Sequence, residues 1–199
     1  MGSRHLLLGV VGILLGALAA WQLGSGALIH ARAWVGQALL EQAWARQQDG
    51  ADPAPAWPGA STWPVARLEF PGKEVDRLVL EGSDGPSLAW GPGRMRRAAP
   101  VNGSGRVIIA AHRDTHFRFL EFVEPGEQAV LTDSAGGRRA WEVQSTRVVD
   151  SREKRLELDS ADDRMTLVTC YPFNARRAGG PLRLLVELTP AGHPLATKL

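Results

Sequence analysis

Residues 6–29, LLLGVVGILLGALAAWQLGSGALI, carry no charged side chain. A helix that crosses a bilayer needs about 20 mostly apolar residues, and this run supplies them. The segment is therefore set apart from the polar-surfaced fold that must hold the remaining residues, a length suited to one domain with appendages. Arg4 and His5 precede the run and favour a cytoplasmic amino terminus, although Arg32 just beyond it weakens the charge contrast. A cleaved signal peptide is the competing reading, since Ala17 and Ala19 have the small-residue spacing of a cleavage site. The apolar run continues past Ala20, which favours an uncleaved anchor. On either reading the chain after about residue 30 lies outside the cytoplasm.

Beyond the run, residues 30–48 lack proline, and Trp34, Leu40 and Trp44 fall near helical spacing, so a helix is expected there. Residues 49–64, DGADPAPAWPGASTWP, are dense in Pro, Gly and small residues and read as a stiff extended linker. Trp57 and Trp63 within it are expected to pack on the following domain. From Val65 the pattern changes to short apolar or alternating runs: VARLEF, RLVLEG, RVIIAAH, QAVLTD, RRAWEVQSTRVV, RMTLVTC and LRLLVEL. Turn signals such as NGSG, EPGE and SAGG separate them. No amphipathic helix of ten or more residues intervenes, so an all-β sandwich or barrel is expected rather than a parallel α/β sheet. The expected division is 1–29 membrane anchor, 30–62 helical segment and Pro-rich linker, and 63–199 β-domain.

The formal net charge is only +2, which gives no electrostatic footprint for nucleic acid. Cys170 is the one cysteine among 199 residues. Exported proteins use cysteines in pairs, so a leftover one points to a reactive thiol or an intermolecular bridge; a buried Cys acting as a small apolar residue is the plain alternative. No CxxC is present and the carboxylates are scattered, so neither a metal nor another cofactor is expected. Cys170 ends an apolar run, His112 ends another, and Arg183 stands at the start of a third. A strand end is where a nucleophile can be rigidly held and still be reached. If the fold gathers the three, the imidazole can take the thiol proton and the guanidinium can face an oxyanion. His116 competes with His112 for the base role, and Arg176 and Arg177 compete with Arg183. Asp114 reads as an exposed turn residue.

TLVTC, the arginine thirteen residues after it and the upstream AHRDTHFRFL together resemble the sortase family of cysteine transpeptidases over about residues 63–188. WPVARLEFPGKEVDRLVLEG is similar to the family's opening strands and LAWGPGR to the segment after them. Ala111 stands where the family pattern has Gly before the catalytic His. TCYPFNARRAGGPLR is most similar to the branch found in Gram-negative bacteria. The resemblance implies an eight-stranded sortase β-barrel, with Cys170 as nucleophile, His112 as acid/base and Arg183 as the transition-state arginine. Thr169, Tyr171 and His116 become the substrate-side residues. It also implies cleavage of an LPxTG-like sorting signal on a protein substrate and transfer to an amine acceptor, from a single-pass protein of the cytoplasmic (inner) membrane with its catalytic domain outside. Other exported cysteine enzymes fit less well. An L,D-transpeptidase would keep His and Cys close in sequence, and a papain-like protease would place Cys before His. A membrane-tethered β-domain that binds a partner, with Cys170 buried, is the non-enzymatic alternative.

Overall fold

The computed structural model describes residues 2–153, 162–177 and 179–192; the end of the expected catalytic segment, 193–199, lies outside them. A long helix, α1 (Gly2–Gln48), opens the chain. It runs unbroken past residue 29, and by its contacts the chain divides between Ala38 and Leu39. The first unit is helical, and apolar side chains along it lie open, with Ile13 and Trp21 each 74% exposed. By length and composition alone, the helix from Leu8 can cross a membrane, its most apolar window having a mean hydropathy of 1.7.

The second unit is an all-β fold, as expected. Its strands are β1 (Pro64–Phe70), β2 (Val75–Glu81), β3 (Gly93–Arg94), β4 (Arg106–Ala110), β5 (Gln128–Asp133), β6 (Arg138–Asp150), β7 (Arg164–Cys170) and β8 (Leu182–Pro190). They form a closed barrel in the order β1-β2-β3-β4-β7-β8-β6-β5. Most neighbours are antiparallel; β2–β3 and β4–β7 are parallel. Alternation explains the packing. Leu68 and Phe70 of β1, Val107 and Ile109 of β4, Trp141 and Val143 of β6, Met165 and Leu167 of β7, and Val186 and Leu188 of β8 all point into one core.

The two-residue β3 went unread in the sequence because LAWGPGR is too short and too rich in Gly and Pro to read as a strand. Its pairing needs close backbone approach: a Cβ on Gly93 would lie 2.0 Å from the Gly82 carbonyl oxygen. The corner is pinned by a bidentate pair, Arg94 donating to Glu81 at 2.7 and 2.9 Å.

The last turns of α1 belong to this second unit. Leu40, Ala43 and Trp44 share one helix face and cluster with Ala56, Leu78 and Leu80, flanked by Trp57 and Trp90. The two flanking rings meet edge to face at 4.8 Å. Gln48 Nε2 donates to the carbonyls of Asp133 and Ser134 at 3.1 and 2.8 Å. The 39–48 segment therefore packs as part of the domain rather than standing off as a free stalk. Trp57 packs as expected, and Trp63 is half-buried. Trp44→Ala should destabilise the domain by about 3 kcal/mol through the cavity it leaves. Urea denaturation of the detergent-solubilised chain measures this, and an unchanged midpoint would show that the helix end contributes nothing.

Candidate active site

Strand register builds the site. β4 and β7 run parallel with Ala110 opposite Val168, and the ladder continues through Ala111 N–H to the Val168 carbonyl at 3.1 Å. Carried to the strand ends, that register sets His112 beside Cys170, on chains roughly 5 Å apart. β7 and β8 are antiparallel with Cys170 opposite Arg183, and opposed side chains in such a pair share a face with Cβ atoms roughly 5 Å apart. Parity gives the face. Val107, Ile109 and Ala111, Met165 and Leu167, and Leu184, Val186 and Leu188 point into the core. By alternation His112, Cys170 and Arg183 all fall on the outer surface of the barrel, at one end of three adjacent strands.

Accessibility agrees with this placement. Cys170 is a free thiol, half-buried rather than sealed. His112 is exposed and Arg183 half-buried. Arg183 Nη1 donates to the carbonyls of Gly180 at 2.5 Å and Leu182 at 2.9 Å. These bonds orient the guanidinium plane while its Nε and Nη2 edge keeps no protein partner among the described residues. Arg176 and Arg177, the rival arginines, lie exposed in the loop between β7 and β8.

The residues expected around the three are placed as follows. Thr169 points inward and is 2% exposed; its hydroxyl donates to the Ala111 carbonyl at 2.8 Å. This bond is a rivet joining the residue before Cys170 to the residue before His112. Ala111 itself fits the core with its methyl buried, so a Gly is not required there. His116 lies in the turn after His112, closed by Phe117 N–H to the His112 carbonyl at 3.1 Å. Burial first, then the nearby Arg77 and His112, hold its imidazole below the ordinary histidine value. Asp114 accepts from Arg113 Nε at 3.2 Å and remains exposed.

Tyr171 turns to the barrel end. With Pro172, Phe173, Asn174, Leu120, Glu121, Val123, Thr146 and Leu184 it lines a cleft of about 270 Å³. Tyr171 and Phe173 meet edge to face at 6.4 Å, which gives the cleft a rigid aromatic wall.

One residue of this region escapes sequence reasoning altogether. Arg113 is 5% exposed, and its guanidinium donates to the carbonyls of Pro172, Ala175 and Arg177 at 2.7, 3.1 and 3.3 Å. Its position directly after His112 was the only available signal. Among the described residues no group of three or more His, Cys, Asp or Glu side chains is arranged to hold a metal.

Two predictions test these placements. Because the folded pKa of His116 is lowered, the unfolded chain takes up its proton first, and stability falls as pH drops below about 6.5. His116→Gln should flatten that loss between pH 7.5 and 5.5 in urea titrations; an unchanged slope would contradict the buried imidazole. Thr169→Val should cost about 1–3 kcal/mol by leaving the buried Ala111 carbonyl without its donor, read in the same denaturation experiment; a neutral effect would remove the rivet.

Comparison with known proteins agrees with this architecture. A family model for the sortase domain matches residues 68–191. The chain is 31% identical over 108 residues to Sortase D of Bacillus subtilis (strain 168), covering 54% of each. It is 30% identical over 110 residues to Sortase A of Listeria monocytogenes, covering 53% of this chain and 49% of the relative. The chain thus matches about half the length of each. Among solved structures, a Clostridium perfringens Sortase D5 transpeptidase superposes with a TM-score of 0.63 at 20% identity, over 79% of this chain and 99% of that one. Sortase A from Corynebacterium diphtheriae superposes at 0.58 with 22% identity, over 80% and 85%. These two likenesses establish the eight-stranded sortase barrel. With the family model matching more than half of its residues, the chain belongs to the sortase family.

Proposed function

We propose that this chain is a membrane-anchored cysteine transpeptidase that cuts an LPxTG-like sorting signal and passes the acyl fragment to an amine. The observation that carries the reading is the convergence of Cys170, His112 and Arg183 on the outer face at one end of β7, β4 and β8. The thiol sulfur attacks the scissile carbonyl while His112 takes the thiol proton. The resulting oxyanion is met by the free edge of Arg183, a permanent cation with fixed donors. Collapse breaks the C–N bond, and the His112 imidazolium protonates the leaving amine. The thioester left on Cys170 is then attacked by an acceptor amine, whose surplus proton returns through His112 as the thiol is released.

The cleft walled by Tyr171, the residue after Cys170, offers room for part of a peptide, and in this reading Tyr171 and His116 are substrate contacts. Among the structural neighbours, sortase C of Clostridium perfringens was solved with the C-terminal cell wall sorting motif. Under this reading residues 1–29 are the anchor, 30–62 the connection and 63–199 the catalytic domain. The anchor makes the protein single-pass in the cytoplasmic (inner) membrane with its barrel outside. An enzyme and a membrane-held substrate sharing one surface meet at raised effective concentration. The finer placement, in the branch found in Gram-negative bacteria, rests on TCYPFNARRAGGPLR.

Cys170→Ala should lose all detectable turnover with the barrel intact. His112→Ala should lose at least about 10³-fold in kcat/KM, against less than about tenfold for His116→Ala. Arg183→Lys should be severely impaired, because an ammonium lacks the planar fork. Mass spectrometry of the enzyme with Leu-Pro-containing peptides and candidate amines reads these out. A peptide adduct on Cys170 gives the motif, and the released product gives the acceptor. Full activity in Cys170→Ala, or equal losses at the two histidines, would overturn the assignment.

A further inference from the structure

The geometry points to Arg113 as a positioning residue, a clasp that holds the β7–β8 loop against the His112 turn and so sets the thiol relative to the imidazole. This role rests on the transpeptidase reading above for its consequence, though not for its geometry. Arg113 follows His112 directly, and its side chain turns inward while His112 faces out. Its donors divide among three carbonyls of the loop that follows Cys170: Nη1 to Pro172 at 2.7 Å, and Nη2 to Ala175 at 3.1 Å and Arg177 at 3.3 Å. Nε closes the set on Asp114 Oδ1 at 3.2 Å.

Three converging carbonyl oxygens form a negative pocket that water would otherwise have to fill. A buried cation is tolerated only where such acceptors surround it. Arginine suits the site because its rigid fork reaches three acceptors at once; a lysine presents its donors from a single atom and cannot span them. The Thr169 rivet joins β7 to β4 on the amino-terminal side of the two reactive residues. Arg113 joins the same two segments on the carboxy-terminal side, so His112 and Cys170 lie between two cross-ties. The loop that Arg113 secures also supplies Tyr171, Pro172, Phe173 and Asn174 to the cleft.

The test exploits a coincidence in the loop. Trypsin can cut after Arg176 and Arg177, both exposed, but the carbonyl of Arg177 is held by Arg113. In Arg113→Lys, tryptic cleavage after Arg176 or Arg177 should accelerate at least tenfold, with cleavage after the exposed Arg152 as internal reference. The pH profile of Cys170 alkylation by iodoacetamide should move from the wild-type curve towards that of His112→Ala, a change that a remote structural role would not produce. Arg113→Gln, which keeps two donors and loses the charge, should behave likewise. Wild-type cleavage rates and an unmoved alkylation profile in both variants would overturn the clasp. So would loss of the folded barrel by circular dichroism in both, since that would make Arg113 a support of the whole core. Identical alkylation curves for wild type and His112→Ala would instead overturn the pairing of His112 with Cys170, and the tryptic rate alone then decides the clasp.

Discussion

The parallel pairing of β4 with β7 is the constraint on which the rest of the site depends. Parallel neighbours end on the same side of a sheet, so residues that follow them emerge together however far apart they lie in sequence. The chain takes the long route from β4 through β5 and β6 before β7 returns beside it. Antiparallel β8 then begins where β7 ends, which brings Arg183 opposite Cys170. No contact between the three side chains is needed to explain their meeting. Backbone register does it, and alternation sends all three outward while the core takes their neighbours.

That division of labour explains the local chemistry. The buried residues on either side of His112 and Cys170 make fixed bonds, as Thr169 does to Ala111 and Arg113 does to the β7–β8 loop. The outward ones keep free donors and accessible atoms. Rigidity comes from buried bonds while His112 is exposed and Cys170 half-buried, which is how a site can be preorganised without being sealed. The edge of Arg183 that has no partner among the described residues, beside backbone bonds that lock its other nitrogen, follows the same pattern within one side chain.

Much of this was legible in the sequence. Seven of the strands stood out as apolar or alternating runs between turn signals, because each has one face in a common core. The exceptions have physical reasons. β3 depends on a backbone approach that only Gly93 permits, and a two-residue pairing leaves no periodic trace. The packing of the 39–48 helix end was unreadable because Leu40, Ala43 and Trp44 meet partners, Leu78 and Leu80, that only the barrel brings near. Within the site, Cys170, His112 and Arg183 could be named from their places at strand ends and from the family resemblance. The rivet made by Thr169 was unreadable because its partner, the Ala111 carbonyl, lies 58 residues away in sequence and only the β4–β7 pairing brings it near. Arg113 was invisible because an arginine in a turn ordinarily lies in water, and only the return of the loop carbonyls gives it a reason to be inside.

The barrel closes with β5 pairing back to β1, and β7, paired on one side by β4 and on the other by β8, offers no free edge at Cys170. A polypeptide that docks here therefore cannot join the structure as an extra strand and borrow affinity from a ladder of main-chain bonds. It has to lie across completed strands, gripped by protruding side chains and by loop walls. Selectivity among polypeptides bound in this way would reside in those projections, so exchanging loops while leaving the cylinder untouched would be the natural path by which such a scaffold acquires new preferences.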